Sequence, residues 1–333
     1  MLVSFIVAAG VTISCNTEEQ TLLDEARRYF SPLPVVFDSR INPVTPEKVW
    51  LGKMLFYERR LSINGTVSCA RCHPIEYYGT DRLKISEGLN CHEDLRNAPT
   101  VLNAAGQRAF NWTGDRPTVE EHAKKALLGK VSTGITSFRW IENRLKSIPG
   151  YVELFKKAFP GDKDPVRFEN VVLALGAFER ALVTPSRFDM YLKGDIDALS
   201  EEEKTGLRLF IEKGCASCHT GTLLGGTIFR KFGIVEPYWK YTGSKKIDEG
   251  RYSYTSDPQD RFVFKVPQLR NVAKTPPYFH DGSVKTLKEA IRIMGKVQLG
   301  IDLSVDEINS IEAFLQSLTG NIPQDMLTVP VLP

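Results

Sequence analysis

An excess of charge of either sign is missing from this chain: across 333 residues, 43 lysines and arginines stand against 40 aspartates and glutamates. So small a surplus does not draw a protein to nucleic acid or to an anionic membrane surface, and neither is expected as a partner. Long apolar runs are scarce as well. After the first fourteen residues, MLVSFIVAAGVTIS, no stretch approaches the roughly 20 apolar residues that a spanning helix needs. Low-complexity tracts are absent, which removes the fibrous and disordered classes. Strand signals are few and short, the clearest running from Phe262 to Val266, so a core built from sheets is not expected. Histidine is rare, occurring only at positions 73, 92, 122, 219 and 280.

What is present is a chain 42% hydrophobic, long enough to bury a sizeable core and to form about two domains. The opening apolar stretch leads into Cys15 and reads as the hydrophobic part of an export signal. Thr12-Ile13-Ser14-Cys15 also has the form of a lipoprotein processing site, in which the cysteine becomes acylated. Residues 1–15 are therefore expected to be an export signal or a lipoprotein signal, with a periplasmic location and, in the second case, a lipid anchor at Cys15. Downstream, the hydroxyl and carboxylate spacing of a capping box recurs at Thr118, Ser200, Thr286 and Ser304, marking four helix starts. From Pro165 to Leu182, the residues Phe168, Val171, Val172, Leu175, Phe178 and Leu182 fall at helical spacing and predict a core-facing helix. Ile308, Ile311, Leu315 and Leu318 predict another, with Gly320 placed to end it. The chain reads as mainly α, with long loops and few short strands.

One motif occurs twice. Cys69-Ala-Arg-Cys72-His73 and Cys215-Ala-Ser-Cys218-His219 both match C-x-x-C-H, the attachment pattern of c-type haem. On a short helical turn, two thiols three positions apart reach the two vinyl groups of one porphyrin, and the next histidine turns its imidazole onto the iron. A zinc site or a disulfide pair is the competing explanation. It has to account for two distant cysteine pairs that each carry a histidine no four-cysteine site needs. Cys91 is left over and is expected to be an inert thiol.

Together with these motifs, Leu51-Gly-Lys-Met-Leu-Phe56, Arg96-Asn-Ala-Pro-Thr100, Phe262 to Asn271, Thr275-Pro-Pro-Tyr-Phe-His-Asp-Gly282 and Gln298-Leu-Gly300 occur in an order that resembles the bacterial diheme cytochrome c peroxidases and the related enzymes that mature methylamine dehydrogenase. The resemblance implies two cytochrome c-like helical domains with one covalent haem each. An N-terminal peroxide-site domain is expected over 20–183 and a C-terminal electron-entry domain over 184–319, with the tail 320–333 returning to the first. It further implies Met294 as the second axial ligand opposite His219, Trp112 between the haems, and a calcium ion held by the Asn97 side chain and the carbonyls of Thr275 and Pro277. His280 is expected to stand beside the C-terminal haem as a hydrogen-bonding and electrostatic partner, with Asp281 as its neighbouring carboxylate.

Three positions depart from the family pattern. The family's switchable distal histidine falls on Leu89, its distal glutamine on His122 and its catalytic glutamate near Ser132. His122 is left as the expected distal acid–base group, and the N-terminal iron is expected to rest on His73 alone unless His92 takes the vacant place. The expected activity is reduction of hydrogen peroxide, with electrons from a small c-type cytochrome or cupredoxin; a homodimer is a further expectation. The alternatives are an oxidase that modifies a partner's side chain, in which family members carry tyrosine where this chain has Met294, and a pure electron-transfer cytochrome. The motif reading predicts that the intact mass after denaturation exceeds that of the polypeptide by two haems. A gain of one haem, or of none, would reject it.

Overall fold

The computed structural model describes the backbone of residues 9–91 and 96–333 and the side chains of 18–90 and 96–333. His92 and the side chains of Cys15 and Cys91 lie outside that description. The first half comprises α1 (Ala9–Tyr29), α2 (Pro46–Tyr57), α3 (Cys69–Cys72), α4 (Val119–Leu127), α5 (Phe138–Lys146), α6 (Pro149–Ala158) and α7 (Phe168–Ala181). The second comprises α8 (Arg187–Leu192), α9 (Glu201–Glu212), the one-turn helices α10 (Trp239–Thr242) and α11 (Tyr252–Thr255), then α12 (Leu287–Met294) and α13 (Val305–Ser317). A last turn, α14 (Gln324–Leu327), lies in the tail. The protein is thus mostly helical, and among the described residues no helix is long and apolar enough to cross a membrane.

The helix starts follow from their caps. Thr118, Ser200, Thr286 and Ser304 each accept a hydrogen bond from the backbone N–H three residues on. At Ser200 and Ser304 the glutamate returns the bond, completing the reciprocal box. The predicted strand forms over Val263–Lys265 (β2) and pairs antiparallel with Phe229–Lys231 (β1), Phe229 standing opposite Lys265.

Two apolar cores organise the chain. The first gathers Leu51, Leu55 and Phe56 of α2, Tyr151 and Phe155 of α6, and Val171, Leu175 and Phe178 of α7. Ile322, Met326, Leu327 and Leu332 of the tail pack on its outside. The second gathers Phe188, Leu207, Phe210, Ile293, Ile308 and Phe314. It also takes Leu22, Leu23, Ala26 and Phe30 of α1, so α1 packs in the later half of the chain, although a boundary drawn at residue 20 assigns it to the earlier one. The halves and the tail meet at a buried polar junction. Asn103 and Asn271 both donate to the Thr184 hydroxyl, at 2.8 and 2.9 Å, and the Gly320 N–H donates to Asn271 Oδ1 at 2.9 Å. Gly320 is therefore not the helix terminator its position suggested. A Cβ there would lie 2.0 Å from the Thr184 carbonyl oxygen, so glycine is required by close approach, and α13 ends earlier, at Ser317 with Leu318 as its cap.

Each core is pinned by a helix crossing with a glycine at the contact. A Cβ on Gly52 of α2 would stand 2.0 Å from the Ala174 carbonyl oxygen of α7, and one on Gly206 of α9 would stand 1.8 Å from the Ser310 carbonyl oxygen of α13. Backbone cannot give way as a flexible side chain can. Gly52→Ala and Gly206→Ala should each destabilise the fold by about 1–3 kcal/mol through overpacking. Gly161→Ala, with nothing within 4 Å of the added carbon, serves as the neutral control. Thermal melts of the three variants check this; a parental Tm for both crossing variants would show that the helices can slide apart.

Candidate active site

Each C-x-x-C-H begins on a single helical turn, Cys69–Cys72 in the first half and the 3₁₀ turn Cys215–Ser217 in the second. The histidine that follows is fixed by its own loop. His73 Nδ1–H donates to the Gly79 carbonyl at 3.1 Å and His219 Nδ1–H to the Leu224 carbonyl at 3.0 Å, a carbonyl being able only to accept. That leaves Nε2 of each ring without its proton and available to a metal. Burial pushes the Cys69 thiol up to about 12, with Glu179 adding to it, and the Cys215 thiol up to about 11. Among the described residues no three His, Cys, Asp or Glu side chains converge as a metal cluster, so the four cysteines do not form a zinc site.

Both motifs open into cavities of a size typical for cofactors. One, of about 360 Å³, is lined by Cys215, Cys218, His219, Phe232, Ile291 and Met294. Met294 is the last residue of α12, immediately before the π-helical turn Gly295–Leu299, so the expected ligand and His219 face one chamber. The other, of about 510 Å³, is lined by Cys69, Cys72, His73, His122, Ser132 and Glu179. Asn97, Ala98, Pro99, Asn111 and Trp112 line both cavities and form the wall between them. Trp112 is held there by its indole N–H, which donates to the Asn97 carbonyl at 2.9 Å. Asn97, Thr275 and Pro277 share the first chamber, and the Asn97 amide N–H₂ donates to the Leu83 carbonyl at 2.7 Å, which turns its other end away from that bond.

The polar groups of the larger cavity differ from one another in kind. His122, in the first turn of α4, stacks on Phe110 with ring centroids 5.9 Å apart. Burial, followed by the charges of His73 and Arg116, pushes its pKa down to about 4. The opposition of helix dipole and neighbouring glutamates that its sequence position suggests does not govern it, since Glu120 is committed to Arg180 and Asn42. Ser132 donates its hydroxyl to the Ala126 carbonyl at 2.6 Å, which is a turn contact with no acid character. Leu89 is buried, with its N–H on the Val131 carbonyl at 2.7 Å. His92, the rival ligand, lies outside the described residues. Glu179 was not foreseen. It is 6% exposed on α7, and burial, then repulsion from Glu120, pushes its carboxyl up to about 8. The only sequence signal is an acid inside the apolar stripe that also carries Phe178.

His280 is 2% exposed and stacks on Phe264 at 4.5 Å, with Tyr238 and Trp112 edge-on to it. Asp248, on a distant loop, stands 3.8 Å from its Nε2, and the adjacent Asp281 acts on the ring through its charge as well. At that distance no hydrogen bond forms, and burial holds the imidazole below its ordinary pKa. Asp248 is occupied instead by Arg96, which grips it with two hydrogen bonds at 2.7 and 3.0 Å. That pair ties the Arg96-Asn-Ala-Pro-Thr100 segment to the second half of the chain.

The family model described as di-haem cytochrome c peroxidase matches residues 46–197. The cytochrome c551 peroxidase of Pseudomonas aeruginosa is 41% identical over 319 residues, covering 95% of this chain and 91% of its own. The cytochrome c551 peroxidase of Nitrosomonas europaea is 40% identical, covering 88% and 86%. Among solved structures, a MauG-like protein associated with microbial copper homeostasis superposes with a TM-score of 0.81 at 29% identity, over 90% of this chain and 97% of that one.

Proposed function

Given that this chain belongs to the di-haem cytochrome c peroxidase family, and is accordingly a peroxidase-type oxidoreductase with two c-type haems, we propose that it reduces hydrogen peroxide to water in the His73 cavity. Its electrons come from a small periplasmic c-type cytochrome or cupredoxin and enter at the His219 cavity. The observation that carries this reading is the shared wall: two C-x-x-C-H chambers meet at one segment with Trp112 in it, a layout suited to passing electrons from one to the other. When bound, the haems supply the electron storage and the iron at which peroxide is held.

The chain's own residues divide the remaining work. Cys69 and Cys72 hold one porphyrin and Cys215 and Cys218 the other, through thioether bonds, while His73 and His219 each present a bare Nε2 to the iron. Met294, which lines the same chamber as His219, would offer its thioether sulfur to the iron on the electron-entry side. His280, buried beside that chamber, shields it and props Trp112. Asn97, Thr275 and Pro277 offer only oxygen donors, a set that suits calcium, and the ion would brace the wall that Trp112 occupies. Peroxide reduction consumes two electrons and two protons and yields two waters. His122, neutral at working pH, accepts the proton from the near oxygen of peroxide and delivers it to the departing one. A lipid anchor at Cys15 would keep the enzyme at the membrane face where its donors circulate.

Steady-state turnover of peroxide with a reduced cytochrome or cupredoxin is the test; two bound haems with no turnover would leave the electron-transfer alternative. The partner-modifying reading has less support, because Met294 occupies the place of that enzyme's tyrosine and raises the potential, as electron entry requires. Met294→Ala should abolish the sulfur-to-iron absorption band and lower that haem's potential by on the order of a hundred millivolts or more. An unchanged spectrum would assign Met294 to packing alone.

The proton step carries a pH signature. With a pKa of about 4, His122 is unprotonated and able to accept a proton above about pH 5, and it loses that capacity as the pH falls through 4. The acid limb of turnover should therefore lie near pH 4, well below the ordinary histidine range. His122→Ala should slow turnover by about 10²- to 10⁴-fold and remove that limb, while both haems keep their resting spectra. Equal turnover in the variant would transfer the role to another group.

A further inference from the structure

Among the described residues four lysine or arginine side chains are buried: Lys53, Lys204, Lys265 and Arg270. A buried cation needs a counter-charge, since desolvation without one is strongly unfavourable. Three of the four have it. Lys204 binds Glu19 and Glu201, both at 2.8 Å; Arg270 binds Asp189 at 2.8 Å; Lys53 bonds the Asp325 main chain within the field of its carboxylate. Lys265, 5% exposed, has no such partner. Its ammonium donates to the amide oxygen of Gln107, a neutral acceptor, and no carboxylate acts on it.

The position of this lysine indicates where an anion would come from. Lys265 and Gln107 both line the chamber of Cys215, Cys218 and His219. The Lys265 backbone N–H donates to the Trp112 carbonyl at 2.8 Å, so the residue is anchored to the wall between the chambers. Lys265 follows Phe264, the ring on which His280 stacks. A c-type haem carries two propionate carboxylates on the edge remote from its thioether bonds, and a porphyrin attached at Cys215 and Cys218 would supply these to the chamber that Lys265 lines.

We propose that the Lys265 ammonium receives a propionate carboxylate of the haem attached at Cys215 and Cys218, beside Trp112. It acts as a positioning residue: the ion pair sets the orientation of the electron-entry haem against the dividing wall and, by placing positive charge at its edge, favours the reduced state. The inference rests on the haem reading of the second motif, and the experiment separates the two. Intact mass of the parent protein reports whether that motif carries a haem at all. With two haems in place, spectroelectrochemical titration of Lys265→Gln should show the C-terminal haem's midpoint potential shifted downward and the N-terminal one unmoved, and Lys265→Arg should return the first towards the parental value. Unchanged potentials in Lys265→Gln overturn the proposal, as does a shift confined to the N-terminal haem. Should Lys265→Gln fail to load the second haem, Lys265→Arg decides: loading with a near-parental potential supports the pairing, and failure of that variant too overturns it.

Discussion

The rest of the molecule depends on one hydrogen bond, made twice, from the Nδ1–H of a motif histidine to a carbonyl in the loop that follows. The loop must double back within five or six residues to present that carbonyl, and in both halves it does so through a residue in the left-handed region, Gly79 at φ 72° and Leu224 at φ 50°. Leucine is disfavoured there, because its Cβ crowds the backbone. The tightness of the second loop outweighs that cost. With Nδ1 committed, the ring cannot turn, and the bare nitrogen faces the same cavity as the two thiols. The helix crossings through Gly52 and Gly206 serve the same end, bringing α2 onto α7 and α9 onto α13 close enough to make a firm floor behind each motif.

How much of this could be read from the sequence depended on the range of each interaction. The four hydroxyl caps, the apolar stripe of α7 and the single turn bearing each cysteine pair are fixed by residues within about four positions of one another, and the sequence states them outright. The destination of α1 is different. Leu22, Leu23 and Ala26 announce a buried face, yet which core receives that face is settled by Phe188 and Phe210, far along the chain. The same holds for His280: beside its adjacent Asp281, a second carboxylate arrives from Asp248, which Arg96 holds in place. Gly320 was legible as a glycine that mattered, but its reason, the Thr184 carbonyl, is a tertiary contact. Family resemblance pointed to Met294, Trp112 and Asn97 as neighbours of the haem sites, and each lines a chamber. It could not point to Lys265, whose significance rests on the absence of a carboxylate around it.

The two chambers share a motif and a wall but not a chemistry. Around His219, Arg270 is paired with Asp189, burial holds His280 below its ordinary pKa, and Lys265 faces no carboxylate among the described residues. A thioether and aromatic rings complete the lining. Around His73 two groups of the lining, His122 and Glu179, are governed first by burial and only then by neighbouring charges.

Burial acts on those two groups in opposite senses. It disfavours the charged form of each, which lowers an imidazole and raises a carboxyl, so His122 falls to about 4 while Glu179 climbs to about 8. Between those values the neutral forms coexist: an imidazole without its second proton and a carboxylic acid with one. The pair itself carries no net charge and yet contains both a proton acceptor and a proton donor, the combination that splitting an O–O bond demands. Leu89 and Ser132, neither of which titrates, therefore do not leave the cavity without proton chemistry. One physical cause, burial, acts on both His122 and Glu179, and it leaves them in complementary states between those two values.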